Sequence, residues 1–251
     1  LNLFGLKNFD GLVLIHFLSL LIVFFSFYLL RKILSFERIL IFAIVLFASE
    51  YFLRFFFELR TYGFVFSWSV LFSSLYLLTR LKDENFYFYF LILSGTVLSA
   101  FNAIAGLFVV SVMLKFFIEN SSTLKRLFVL IVILIACSQV LIFSSSSILL
   151  NSDFHIDSYF RHIRNTGAFM IPTLMTGMCL LFRISKTKFK QILFDISPIV
   201  FSVAIIFIYS IIASPFFQAR YFTAFFPFLS LFLIIHLERR YFVSICIAAF
   251  F

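Results

Sequence analysis

Ten apolar runs, parted by short polar links, limit what this chain can become. They cover residues 11–30, 39–57, 63–79, 86–101, 103–118, 127–145, 167–182, 192–212, 221–237 and 241–251. A helix needs about 20 apolar residues to cross the hydrocarbon core of a bilayer. Repeated this often, such runs predict an all-α fold: a polytopic transmembrane helix bundle of about nine spans and a partial tenth, forming a single transmembrane domain over residues 1–251. The pair 86–101 and 103–118 also reads as one helical hairpin turning at Asn102 to Gly106. Composition excludes the soluble alternative. Hydrophobic residues make up 63% of the chain and charged residues 12%, against about 45–50% and about 25% in a soluble domain. The chain starts at Leu1 and the last apolar run stops at Phe251, so both ends read as cuts through a longer membrane protein.

The net charge of +9 does not point to nucleic acid, because the Lys and Arg punctuate apolar spans instead of clustering on one soluble face. Most of them fall in alternate links: Arg31, Lys32 and Arg38; Arg80 and Lys82; Lys115, Lys125 and Arg126; Arg183, Lys186, Lys188 and Lys190; Arg239 and Arg240. The excess of Lys and Arg on one side places those links in the cytoplasm. The expected location is the cell inner (plasma) membrane, with a multi-pass topology. Residues 58–62, 144–166 and 213–220 then share the outer face. Cys137, Cys179 and Cys246 all lie inside apolar runs and read as small packing groups, and no metal-ligand spacing is present.

Charges inside apolar runs carry the next inference. Glu50, Arg54 and Glu58 follow at i, i+4 and i+8 within 39–57 and its margin, which sets them on one face of a single predicted helix. Intramembrane charges are costly. They either neutralise one another along the helix or line a functional path, and both readings remain open here. The link 144–166 carries a shorter periodicity: Ile156, Tyr159, Phe160 and Ile163 repeat at i, i+3, i+4, i+7, the pattern of an amphipathic helix lying on the outer surface, with Asp153 placed to cap it. Asn120-Ser121-Ser122 has the form of a glycosylation acceptor but falls on the cytoplasmic side. His16, His236 and Asp195 stand alone in sequence and read as packed or interfacial groups, not ligands.

Two stretches bear a likeness to a known family. Tyr51 to Leu81 reads YFLRFFFELRTYGFVFSWSVLFSSLYLLTRL, with Glu58-x-Arg60-x-Tyr62 at the mouth of a helix and Leu75 to Leu78 with Arg80 closing the next run. Ser214 to Phe232 reads SPFFQARYFTAFFPFLSLF, with Arg220-Tyr221 followed by Pro227. In this order the two stretches resemble the polytopic GT-C glycosyltransferases of the protein-mannosyltransferase and aminoarabinose-transferase type. The resemblance implies sugar transfer from a polyprenyl-phosphate-linked donor to an acceptor glycan, lipid or protein at the outer face. It implies substrate contacts by Glu58, Arg60, Tyr62, Arg220 and Tyr221. The family's catalytic acidic residue sits in its first outer loop. That region would precede Leu1, and Asp10 does not match it, so no catalytic residue is assigned and the resemblance implies that this chain lacks the base. No cofactor is assigned. The alternatives are an envelope polysaccharide polymerase or a lipid-linked sugar transporter or flippase. The transporter fits less well, since such proteins show paired repeats and Gly- or Pro-broken helices, and this chain has 7 Gly and no visible repeat.

Overall fold

The structure is a computed structural model that describes residues 8–49, 52, 62–82, 84–148, 186–212 and 223–236. Among the described residues it is all-helical, with eight helices and no strand: α1 (Asn8–Leu30), α2 (Phe36–Ala48), α3 (Tyr62–Lys82), α4 (Asn85–Phe101), α5 (Ala103–Glu119), α6 (Thr123–Ile148), α7 (Lys186–Ile212) and α8 (Phe226–His236). Four stretches are long and apolar enough to cross a membrane: Val13–Leu30, Tyr62–Lys82, Thr123–Ile142 and Phe189–Ile208. The expected runs 167–182 and 241–251 lie outside the described residues, as does the surface helix expected at 156–163.

Two breaks have local causes. The run 39–57 was expected to form one helix, but α2 stops at Ala48 and Ser49 is extended, with φ −68° and ψ 144°. The Ser49 hydroxyl donates to the Leu46 carbonyl at 2.7 Å and accepts from the Phe52 N–H at 3.3 Å. A serine that bonds nearby backbone in this way competes with the helical ladder. Glu50, Arg54 and Glu58 themselves lie outside the described residues. The second break is the expected hairpin. Asn102 is extended, and its side chain caps α5 by accepting from the Ile104 N–H at 2.8 Å, which satisfies one of the free donors at a helix start.

The bundle is built around α3, which packs against α1, α4 and α8. Of the Tyr62–Lys82 stretch 78% is buried, against 28% of Val13–Leu30, 17% of Thr123–Ile142 and 33% of Phe189–Ile208, so α3 is the axis and the other three are peripheral. Four of its buried hydroxyls are satisfied within the helix. Ser67, Ser73, Ser74 and Thr79 each donate to the carbonyl four residues earlier, at 2.6–2.9 Å, as a chain in an apolar medium requires. Rings fill the space around the axis: Phe72 meets Phe108, and Tyr76 meets Phe116, Phe228 and Phe232. The α5–α6 contact is close at Gly106, where an added Cβ would stand 3.2 Å from Val140 Cγ2 and 3.5 Å from the Ala136 carbonyl oxygen. Small residues at such crossings let helix backbones approach in membranes.

The peripheral helices turn large apolar side chains outward. Phe17 and Phe24 of α1, Leu134 and Leu141 of α6, and Phe194 and Val200 of α7 are all more than half exposed. A soluble monomer rarely presents contiguous apolar faces of this kind. A lipid environment covers them without cost, which makes this a membrane protein in its simplest physical reading.

Candidate functional site

The most concentrated chemistry among the described residues lies where α3, α5 and α8 end and α7 begins. Arg80 stands near the end of α3, Lys115 and Glu119 in the last turns of α5, Asp195 in the early part of α7, and His236 closes α8. Asp195 is the hub. Its Oδ1 accepts from Arg80 Nη1 at 2.7 Å and lies 3.6 Å from Lys115 Nζ, and its Oδ2 lies 2.7 Å from His236 Nε2. Glu119 adds a second carboxylate, with Oε2 3.5 Å from Arg80 Nε and Oε1 3.9 Å from Lys115 Nζ. The side chains of Asp195 and Lys115 are 6% and 8% exposed. Two cations and two carboxylates balance formally, and charges that deep in an apolar bundle are tolerated only when paired.

Local sequence explains why Lys115 can sit there. Pro198 lies inside α7. It has no N–H, so the carbonyl four residues earlier, at Phe194, loses its helical donor. Lys115 Nζ donates to that carbonyl, and the Ser197 hydroxyl donates to it at 2.7 Å. One turn further along the same contact, Ser111 Oγ accepts from Ser202 Oγ at 2.7 Å and donates to the Leu107 carbonyl at 2.9 Å. The Arg80 guanidinium also lies 5.7 Å from the centre of the Tyr76 ring, within cation–π range. A cavity of about 290 Å³, lined by Thr79, Arg80, Phe116, Glu119 and Asn120, opens beside the cluster. At the same end, Lys32 donates to the Tyr87 hydroxyl at 2.8 Å, and that bond raises the lysine above its ordinary value of 10.5.

The sequence-based reading of His236 and Asp195 as isolated groups is corrected by this arrangement, which brings them together 2.7 Å apart. Arg80 and Lys115, read as loop cations, are helical and engaged with carboxylates. Of the residues expected to contact substrate, Tyr62 is described: it is the first residue of α3 and half-buried. Glu58, Arg60, Arg220 and Tyr221 lie outside the described residues. Tyr62 and Arg80 are eighteen residues apart on one helix, about 27 Å at 1.5 Å per residue. The cluster and Tyr62 therefore lie at opposite ends of α3. No group of three or more His, Cys, Asp or Glu among the described residues is placed to hold a metal ion.

The chain matches no protein-family model, no curated protein and no solved structure. Among the described residues, fold and geometry define an all-helical protein with four helices able to cross a membrane and a charged tether at one end.

Proposed function

We propose that the chain is a membrane glycosyltransferase that uses a polyprenyl-phosphate-linked sugar at the outer face of the inner (plasma) membrane. The pairing of α3 with α8 is the observation that supports this reading. Glu58, Arg60 and Tyr62 lead into α3, and Arg220 and Tyr221 lead into α8. These helices, far apart in sequence, run parallel and in contact: the Ser69 hydroxyl bonds the Ala224 carbonyl, and Tyr76 packs on Phe228 and Phe232 further along. The starts of α3 and α8, which these motif segments precede in sequence, thus lie at one end of the bundle. Pro227 is the second residue of α8 and is buried, a position where a missing N–H costs nothing.

The chemistry follows from these residue types. Glycosyl transfer needs a carboxylate to take the proton of the acceptor hydroxyl and a cation to hold the lipid phosphate as it leaves. An arginine does the second with two parallel hydrogen bonds. Arg60 and Arg220 take that role in this proposal, flanked by Glu58, Tyr62 and Tyr221, with the carboxylate base unassigned. The polar cluster at Asp195 takes no part, being at the far end of α3. Arg60→Lys and Arg220→Lys keep the charge and lose the planar fork. Each is expected to lower transfer from a synthetic polyprenyl-phosphate sugar about 10- to 100-fold, equal to about 1.4–2.8 kcal/mol of transition-state stabilisation. Unchanged transfer by both variants, at unchanged protein level, would overturn the reading.

A second reading, a transporter or flippase for lipid-linked sugars, draws on the cluster itself. A charged lock joining α3, α5, α7 and α8 at one end suits a bundle that closes on one side while open on the other. Passage of a lipid-linked sugar across proteoliposomes, with no glycosidic bond formed, would select it.

A further inference from the structure

A second recess lies at the same end as the charged cluster but on the outside of the bundle, between the last turns of α1 and the first turns of α2. It has a volume of about 310 Å³ and is lined by Phe27, Tyr28, Arg31, Phe36, Ile39, Leu40 and Ala43. The two helices, joined by residues 31–35, also meet through rings, Phe27 on Phe42 and on Phe47. Ala43 leaves the floor open. Tyr28, Phe36 and Leu40 are exposed at the walls, so the recess faces whatever surrounds the bundle. Its lining is apolar but for the Tyr28 hydroxyl and the Arg31 guanidinium. Arg31 is exposed and has no ion-pair partner among the described residues, whereas its neighbour Lys32 is occupied by Tyr87.

We propose that this groove is a binding site for one anionic phospholipid of the leaflet at the Arg31 end. An acyl chain fills the apolar cleft between α1 and α2, and the lipid phosphate meets the Arg31 guanidinium. Two observations fix the class of occupant. Tyr28 in its wall continues the exposed stripe of Phe17, Leu21 and Phe24 along α1 at helical spacing, so an acyl chain enters from the bilayer without leaving hydrocarbon. The charge at its mouth is complementary to phosphate. The link bearing Arg31, Lys32 and Arg38 has one acidic residue, Glu37, so an anionic headgroup is favoured over a zwitterionic one. Arg also offers the paired donors that match a phosphate. The inference is independent of the sugar-transfer reading, since the groove and the Tyr62 end of α3 are at opposite ends of the bundle.

The test uses the full chain, reconstituted in an equimolar mixture of phosphatidylcholine and phosphatidylglycerol, extracted in mild detergent and weighed by native mass spectrometry. One retained phosphatidylglycerol per chain is expected, in preference to phosphatidylcholine. Arg31→Ala should lower that retention about tenfold, as expected for the loss of one charge-assisted contact, and Arg31→Lys should restore part of it. Arg38→Ala, outside the groove lining, should lower it less than Arg31→Ala does, since it removes only general positive charge from the link. Ala43→Phe fills the cleft and should remove the adduct while the protein still elutes as a single species with an unchanged melting temperature. If Ala43→Phe does not fold, the Arg31 pair decides alone. Equal retention of the two lipids by the parent protein, or undiminished phosphatidylglycerol in Arg31→Ala, would overturn the proposal.

Discussion

Asp195→Ala isolates the contribution of the charged tether. The carboxylate receives Arg80 and His236 at 2.7 Å and has Lys115 at 3.6 Å, with 6% of its side chain exposed. Removing it leaves Lys115, 8% exposed, with the Phe194 carbonyl and a distant Glu119 contact at 3.9 Å. Loss of one partner of a buried ion pair costs about 3–5 kcal/mol. Arg80 is 28% exposed and keeps Glu119 at 3.5 Å, so part of its charge is still screened and paired, and the lower end of that range applies. The expected loss is about 3 kcal/mol, about two orders of magnitude in the unfolding equilibrium. At about 2–4 °C per kcal/mol for a chain of this size, the melting temperature should fall about 6–12 °C. The assay is thermal unfolding in detergent, with exposed Lys190→Ala on the same helix as the reference. A double-mutant cycle with His236→Ala should show coupling of about 0.5–3 kcal/mol. If Asp195→Ala melts within about 2 °C of Lys190→Ala, below the shift of one kcal/mol, the carboxylate is solvated and the tether argument fails.

Gly106→Val places methyl groups where one added carbon already stands 3.2 Å from Val140 and 3.5 Å from the Ala136 carbonyl. It should push α5 from α6 and cost about 1–3 kcal/mol, and a thermal midpoint equal to the parent's would show that the crossing is loose. Topology is tested by single cysteines in a cysteine-free background. One at Ser146 should react with an impermeant thiol reagent from outside the cell, and one at Asn120, between α5 and α6, should not. The reverse labelling would invert the orientation drawn from the positive links.

The placement of several helices was legible because burial in a bilayer demands continuous apolar length, and the runs 11–30, 63–79, 86–101 and 103–118 each became a helix within a few residues of the expected ends. The end of α2 was not legible in that way, because Ser49 is a single polar residue whose effect depends on its hydroxyl reaching Leu46. The tether was missed because its partners are remote in sequence and on different helices: Asp195 meets Arg80 from α3 and His236 from α8. A signal was nevertheless present. Each lies within about a turn of the end of its run, on the side that also carries Arg80 and Lys115, and an acid at that depth requires a cation at the same depth on another helix. Matching charges by depth, not by sequence distance, would have paired them.

That depth rule also bears on why a bundle so rich in apolar surface keeps five ionisable groups at one end. Between membrane helices, hydrophobic burial gives no net drive, since lipid tails are as apolar as the side chains they replace. Phe-lined faces such as those of α3, α5 and α8 can slide or rotate past one another with little change in contact energy. Directed bonds cannot. Arg80, Lys115, Asp195 and His236 meet in one register of their four helices, and the Phe194 carbonyl freed by Pro198 adds an acceptor that only that register delivers to Lys115. The tether thus restrains α3 and α8 relative to each other at one end, as the Ser69 to Ala224 bond does further along. Together the two restraints hold the described parts of α3 and α8 in one register.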